Sequence, residues 1–218
     1  MLVAKDLVFR YGLGQFRMDK VSLEIEKGYV YALVGENGAG KTTLLKLLYG
    51  ALTPQSGEVL WKGKRVDRRT LAAYHGEAAF VGLPWCNAES SVADNVDFLK
   101  PLYPTFDEEY WEQLLKRADL FYTVKDVPYG KLSAGEARKI GIVFCLARHP
   151  ELLILDEPLA NLDPVFKTEI PEILRDAVAK DGMTILMSTN LVDEIRDFTD
   201  YYGVIRDGAL VKWGENTL

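Results

Sequence analysis

Imidazole and thiol side chains are scarce. Only His75, His149, Cys86 and Cys145 occur in 218 residues. Two histidines argue against a His-based metal site. The cysteines lie far apart without CxxC spacing, so they read as small apolar fillers in a reducing compartment rather than a disulfide or zinc pair. Long apolar runs are also missing: none approaches the roughly 18 residues a membrane-spanning helix needs. The start, Met1-Leu-Val-Ala-Lys-Asp, meets charge at once and lacks the apolar core of a signal peptide. Any service to a membrane is therefore expected from outside the bilayer. Positive charge is not in excess, with 26 Lys and Arg against 32 Asp and Glu, net −6. That balance argues against nucleic acid as a partner. The basic run Lys62–Arg69 is expected to solvate a hairpin. There is no internal repeat and no low-complexity tract. Hydrophobic residues make up 48%, enough for one substantial core, or one core with an attached subdomain.

What the chain does have is concentrated in a few short stretches. Residues 35–43 read Gly35-Glu36-Asn37-Gly38-Ala39-Gly40-Lys41-Thr42-Thr43 and contain G-x-x-x-x-G-K-T, a phosphate-binding pattern. The apolar run Val30–Val34 precedes it and a helix-like stretch, Thr42–Tyr49, follows. Gly35, Gly38 and Gly40 let the backbone approach a polyphosphate and turn successive N–H groups toward it. The helix start adds its positive end. Lys41 is expected to reach the β- and γ-phosphates, and the Thr42 hydroxyl to hold Mg²⁺.

Along the chain, the first third is β-rich. Val3–Tyr11 and Lys20–Glu26 alternate, with turns at Gly12–Gly14 and Lys27-Gly28; Val30–Val34, Gly57–Lys62 and Ala78–Val81 add strands. The middle is helical at Val92–Leu102 and Asp107–Leu120. Leu114, Leu115, Ala118 and Phe121 form a stripe there, and Asp107 or Thr105 is a cap. The last third alternates again: strand Leu152–Leu155, helix Pro164–Lys180, strand Thr184–Ser188, helix Val192–Phe198, and a hairpin around Asp207-Gly208. Pro171 marks a kink or a first turn, and Trp61, Trp111 and Trp213 read as packing or surface anchors. The expected fold is α/β: a mostly parallel sheet, an N-terminal antiparallel β subdomain and a helical insert over roughly residues 84–146, all within one domain.

Leu152-Leu-Ile-Leu-Asp156-Glu157 places two acids at the carboxyl end of an apolar strand, where open α/β sheets bind ligands. Asp156 is expected to coordinate Mg²⁺, directly or through water, opposite Thr42, and Glu157 to polarise the attacking water. A third stretch, Leu132-Ser133-Ala134-Gly135-Glu136, precedes the apolar helix Ile140–Ala147, with Ser133 as N-cap. Small residues at a helix start also suit an anion. Lying on the insert, away from Lys41, this half-site calls for a second copy arranged head to tail.

These stretches resemble the ATP-binding subunit of an ABC transporter over about Val3–Trp213. Gly35–Thr43 resembles the Walker A loop, Leu132–Glu136 the signature, Leu152–Asp156 with Glu157 the Walker B strand, and Leu159–Asp163 the D-loop, with Asp163 as its acid. Tyr11 matches the aromatic that stacks on adenine, and Ser56-Gly57-Glu58 the strand after the first helix. The resemblance implies ATP and Mg²⁺, two composite sites in a dimer with Ser133, Ala134, Gly135 and Glu136 acting in trans, and membrane-spanning permease partners. It also implies a cytoplasmic place on the inner face of the cell membrane. The Pro104–Asp107 segment and the compact length resemble exporter-type subunits of Gram-positive bacteria.

Two positions depart from that pattern. The family's Ser-Thr-His reads Ser188-Thr189-Asn190 here, and Asn190 can donate an amide hydrogen bond but cannot carry a proton near neutral pH. The family's glutamine after the strand ending near Val81 is missing: Leu83 or Trp85 stands there, with Asn87 a possible substitute. The expectation is a site that binds ATP but hydrolyses it slowly, against the alternative that Asn190 serves adequately. A soluble ABC-type ATPase acting as a regulatory switch, or a P-loop kinase, are the competing functions. The first usually needs tandem cassettes or long insertions, and the second leaves Leu132–Glu136 and Asp163 unexplained.

Overall fold

The computed structural model describes residues 1–12, 16–82, 86–122, 127–160, 162–194 and 196–217. Four strands, β1 (Leu2–Arg10), β2 (Arg17–Ile25), β4 (Ser56–Trp61) and β5 (Lys64–Arg65), form an antiparallel sheet in the order β2-β1-β4-β5. Six others, β3 (Val30–Val34), β6 (Ala78–Val81), β7 (Leu152–Leu155), β8 (Thr184–Thr189), β9 (Tyr201–Arg206) and β10 (Ala209–Glu215), form the main sheet in the order β10-β9-β3-β8-β7-β6. All its pairings are parallel except β9 with β10. The expected α/β fold is present.

Alternation along the central strands explains the two-faced core. Val30, Ala32 and Val34 pack into one cluster and Tyr31 and Leu33 into the other. Likewise Leu153 and Leu155 face one side of β7, and Leu152 and Ile154 the other. Every residue of β3 and β7 is buried, as continuous apolar strands covered on both faces require. One cluster holds the helices α5 (Ala134–Ala147) and α6 (Pro164–Asp181) against the sheet. The other seats α1 (Lys41–Tyr49) and the antiparallel sheet on the opposite face.

Between β6 and β7 lie α3 (Val92–Leu99), α4 (Glu108–Arg117) and α5, with no long strand among the described residues. Asp107 caps α4 by accepting from Tyr110 N at 2.9 Å, and Leu114 and Leu115 are buried on its inner face. Pro164 opens α6 after the Asp163 cap, and Gly182, at φ 62°, closes it. The Asp207-Gly208 hairpin has both φ values positive, 48° and 77°, the geometry that dipeptide favours.

The structure corrects several details. The helix expected at Val92–Leu102 ends at Leu99 and tightens to a 3-10 turn, because Pro101 lacks the N–H that would continue it. Among the described residues, the stretch expected as a helix at Val192–Phe198 makes a 3-10 turn at Val192–Glu194 and no α-helix. So short a stretch offers few backbone bonds to offset helix nucleation. Pro171 lies inside α6, past its first turn. A helix that sequence reasoning missed, α2 (Leu71–Glu77), buries only Tyr74, whose hydroxyl donates to Leu48 O at 3.0 Å. Lys62–Arg69 begins with the β4–β5 hairpin, as expected.

Ile154 is wholly buried on β7, which is paired on both sides in the main sheet. Truncation by Ile154→Ala is expected to cost about 2–5 kcal/mol, measured by urea denaturation, through lost transfer energy and the cavity left behind.

Candidate functional site

Parallel pairing brings the carboxyl ends of β3, β7 and β8 to one edge of the sheet. From β3 the chain enters the glycine loop at Gly35 and turns into α1 at Lys41. Close packing explains two of the glycines. A Cβ at Gly35 would fall 2.5 Å from the Ile205 carbonyl oxygen, and one at Gly40 would fall 2.8 Å from Phe16 Cζ. Gly40, at φ 110°, also holds a backbone that L side chains resist. Glu36, Asn37 and Gly38 are exposed, whereas Ala39 and Gly40 are buried. Ala39 N donates to Glu36 O at 3.2 Å, and Gly208 N donates to Ala39 O at 2.9 Å. The loop is thus anchored through its carbonyls. Helix α1 has no side-chain cap and no acidic residue in its first turn, so its leading N–H groups stay open to an anion.

Lys41 is 4% exposed, and its ammonium donates to Gly35 O at 2.8 Å and Glu36 O at 3.1 Å. Its Nζ also lies 3.5 Å from Glu157 Oε1. The lysine and the acid, 116 residues apart by numbering (157 − 41), are therefore brought together by the fold. Thr42 Oγ1 donates to Asp156 Oδ2 at 2.8 Å, and Ser188 Oγ donates to Asp156 Oδ1 at 2.7 Å. Ser188 also accepts from Glu157 N at 2.9 Å. Glu157 itself sits at φ 50°, a left-handed conformation uncommon for a non-glycine residue. From α5, the Arg138 guanidinium donates to the carbonyl oxygens of Asp156, at 2.9 Å, and of Glu157.

Tyr11 stands just past β1, 46% exposed, with its hydroxyl 3.4 Å from Thr43 Oγ1. Phe9 meets its ring edge-on at 4.8 Å and Phe16 lies tilted at 6.2 Å, which leaves an aromatic surface beside the loop. Asn190 is exposed beyond the end of β8 and lines a cleft of about 80 Å³ that Glu157 also lines. Leu83 and Trp85, where the family's glutamine is expected, lie outside the described residues, as do Gly14 and Asn161. Asn87 spends its carboxamide oxygen on Glu89 N at 3.1 Å.

Ser133 caps α5 in a reciprocal box: Glu136 N donates to Ser133 Oγ at 3.2 Å and Ser133 N donates to Glu136 Oε2 at 2.8 Å. The bonds from Ser133 hold the Glu136 carboxyl below its usual range. Ser133 and Ala134 are exposed and Gly135 half-buried. Among the described residues, no hydrogen bond or ion pair joins this segment to the glycine loop. Asp163 caps α6 through Phe166 N at 2.9 Å and pairs with Lys139 Nζ at 2.6 Å, and the lysine lowers its pKa.

Sequence reasoning missed Ser188, Arg138 and Lys139. Ser188 left little trace, because it is one of three buried hydroxyl residues on β8, beside Thr184 and Thr189. The donor set also suits a hard cation. One hydroxyl and one carboxylate are aligned, and no group of three or more acidic, His or Cys ligands exists among the described residues. Mg²⁺ bound here would take its remaining ligands from phosphate and water, its usual habit with nucleotides.

Fold and site together define a P-loop ATPase cassette. A family model described as ABC transporter matches residues 18–160, and the chain belongs to that family. It is 36% identical over 220 residues to the energy-coupling factor transporter ATP-binding protein EcfA of Methanocaldococcus jannaschii, covering 96% of this chain and 77% of that protein. It is 32% identical over 211 residues to the lantibiotic transport ATP-binding protein SrtF of Streptococcus pyogenes, covering 97% and 89%. Among solved structures, an ATP-binding subunit of an ABC transporter superposes with a TM-score of 0.86 at 26% identity, covering 99% of this chain and 90% of that one. A dimeric ATP-binding cassette bound to ADP and Pi has a TM-score of 0.87 at 22% identity over 100% of both chains, a likeness of fold.

The capping box gives a measurable consequence. Ser133→Ala is expected to lower stability by about 1 kcal/mol. Because Glu136 is held low when folded, its share is present above the ordinary carboxylate range and is lost as pH falls through the folded value. Urea denaturation should therefore show the gap between wild type and Glu136→Ala narrowing on acidification from neutral pH toward pH ~3.

Proposed function

We propose that this chain is the ATP-driven motor of an ABC transporter, working as one of two cassettes that close on nucleotide and move a membrane-spanning permease. The Thr42–Asp156–Ser188 chain of hydrogen bonds beside the Lys41–Glu157 pair carries this reading. It assembles from two motifs the phosphate-holding, metal-holding and proton-accepting groups that hydrolysis needs. The names of EcfA and SrtF, both transport ATP-binding proteins, support it. No helix among the described residues is long and apolar enough to cross a membrane, which fits a subunit bound at its inner face.

The roles follow from the geometry. The N–H groups of Gly38 and of Gly40 to Thr43 wrap the phosphates, while that of Ala39 is held by the Glu36 carbonyl. Lys41 exchanges the Gly35 and Glu36 carbonyls for phosphate oxygens, and Tyr11 offers its ring to the base. Thr42 Oγ1 and the Asp156 carboxylate would hold Mg²⁺, which would supply charge neutralisation at the phosphates. Released from Lys41, Glu157 orients a water against the γ-phosphorus and accepts its proton as the bond to ADP breaks, giving ADP and phosphate. Asn190, in the same cleft, donates an amide hydrogen bond to the γ-phosphate but holds no proton. Ser133, Ala134, Gly135 and Glu136 of the second cassette cover the open face of the nucleotide, and Asp163 lies at that junction.

With Asn190 replacing the family's histidine, the chain's own site is slow. Losing one positioned polar group commonly costs about 10²–10³ in rate. The partner cassette then carries the faster site, using this chain's Ser133 in trans.

Single-turnover hydrolysis by the purified chain tests both levels. Lys41→Ala is expected to abolish ATP binding, measured by equilibrium titration. Glu157→Gln is expected to keep binding and lose at least about a hundredfold in rate. Asn190→His is expected to raise the rate about tenfold or more. An ordinary wild-type rate, unmoved by Asn190→His, would refute the slow site alone. Failure of a polytopic membrane protein to co-purify would count against the transport role.

A further inference from the structure

Two consecutive cations on α5 reach two separate motifs of the nucleotide core. Arg138 donates to the carbonyl oxygens of Asp156 and Glu157. Lys139 pairs with Asp163 at 2.6 Å, donates to Ala118 O at 3.0 Å, and lies 5.0 Å from the centre of the Phe166 ring. Neighbouring helical residues point about 100° apart, which is how one helix turn addresses two targets. Ser133, which caps the same helix, lies five residues before Arg138 and about 7.5 Å away along the axis.

We propose that Arg138 and Lys139 are positioning residues that couple the chain's own nucleotide site to the Ser133 segment it presents to the other cassette. This deepens the reading above and rests on it. Glu157 is held from two sides. Its N–H donates to Ser188 of β8, in the core, and its carbonyl accepts from Arg138 of α5. At φ 50° its backbone is in a conformation that costs a non-glycine residue about 1–2 kcal/mol, so it persists only while both holds last. A carboxylate points where its backbone directs it. Turning α5 against β7 therefore moves the Glu157 side chain, and reorganising Glu157 around nucleotide pulls on α5. Lys139 makes the second tie, to the residue that caps α6.

A purely structural role would be to pin α5 to the end of β7. Hydrogen exchange with and without a non-hydrolysable ATP analogue and Mg²⁺ separates the two. In the wild type, the analogue is expected to slow exchange at residues 35–48, at 156–160 and at 132–147. In Arg138→Gln, slowing at 35–48 should match wild type within about twofold, while slowing at 132–147 is lost. The single-turnover rate at saturating ATP should fall about tenfold with half-saturation within about twofold, because coupling energies of this kind change rates by roughly that factor. Arg138→Lys, with an ammonium on a shorter side chain in place of the one guanidinium nitrogen that reaches both carbonyls, should fall between. A wild-type response in Arg138→Gln, or in Arg138→Lys should the first not fold, overturns the proposal. So does a wild type protected at 35–48 but unchanged at 132–147. No protection at 35–48 in the wild type would instead refute the nucleotide-binding reading, and the coupling with it.

Discussion

Everything at the site depends on where the Asp156 carboxylate is held. Both of its oxygens accept a hydroxyl hydrogen bond, one from Thr42 of α1 and one from Ser188 of β8, while its N–H donates to Val81 O at 3.0 Å. Three elements thus meet on one residue. The strand that carries it is fully buried and apolar, so its end cannot shift without exposing Leu153 and Leu155 on one face or Ile154 on the other. That rigidity lets a short carboxylate serve as a fixed reference for a loop, a helix start and a neighbouring acid.

Around that reference the charges satisfy one another internally. Lys41 is buried, and its ammonium is answered by two loop carbonyls and by Glu157. A buried cation without such partners would be costly. These partners are weaker than a polyphosphate, so an arriving anion replaces them rather than forcing a new pocket open. The same exchange frees Glu157. In the function proposed here binding and activation are one rearrangement, and Arg138, bonded to the Glu157 carbonyl, is the proposed route for it along α5.

Legibility in the sequence followed how local each signal was. The glycine loop was readable because phosphate binding requires small residues at fixed spacing beside a strand and a helix, and all of that lies within Val30–Tyr49. The caps at Asp107 and Ser133 were readable for the same reason, since each bonds a backbone N–H three residues on. Asp163 showed its motif but not its capping role. Helix α2 left little trace because it contains Gly76, spans seven residues and buries a single side chain. The stretch after β8 resembles a helix in composition but is too short to offset nucleation.

Sequence alone settled the chemistry on offer: a phosphate loop, paired acids at a strand end, a capped helix with small residues at its start, and an asparagine where the family has histidine. Those are properties of residue types at short spacing, and a chain writes them directly. Tertiary structure decided which of them meet. Lys41 reaches Glu157, Thr42 and Ser188 converge on Asp156, and Arg138 grips the peptide of the catalytic candidate, all across separations of 18 residues or more. Such pairings are set by strand order and register in the parallel sheet, and those arise from burying apolar faces over the whole chain rather than from any one stretch of it.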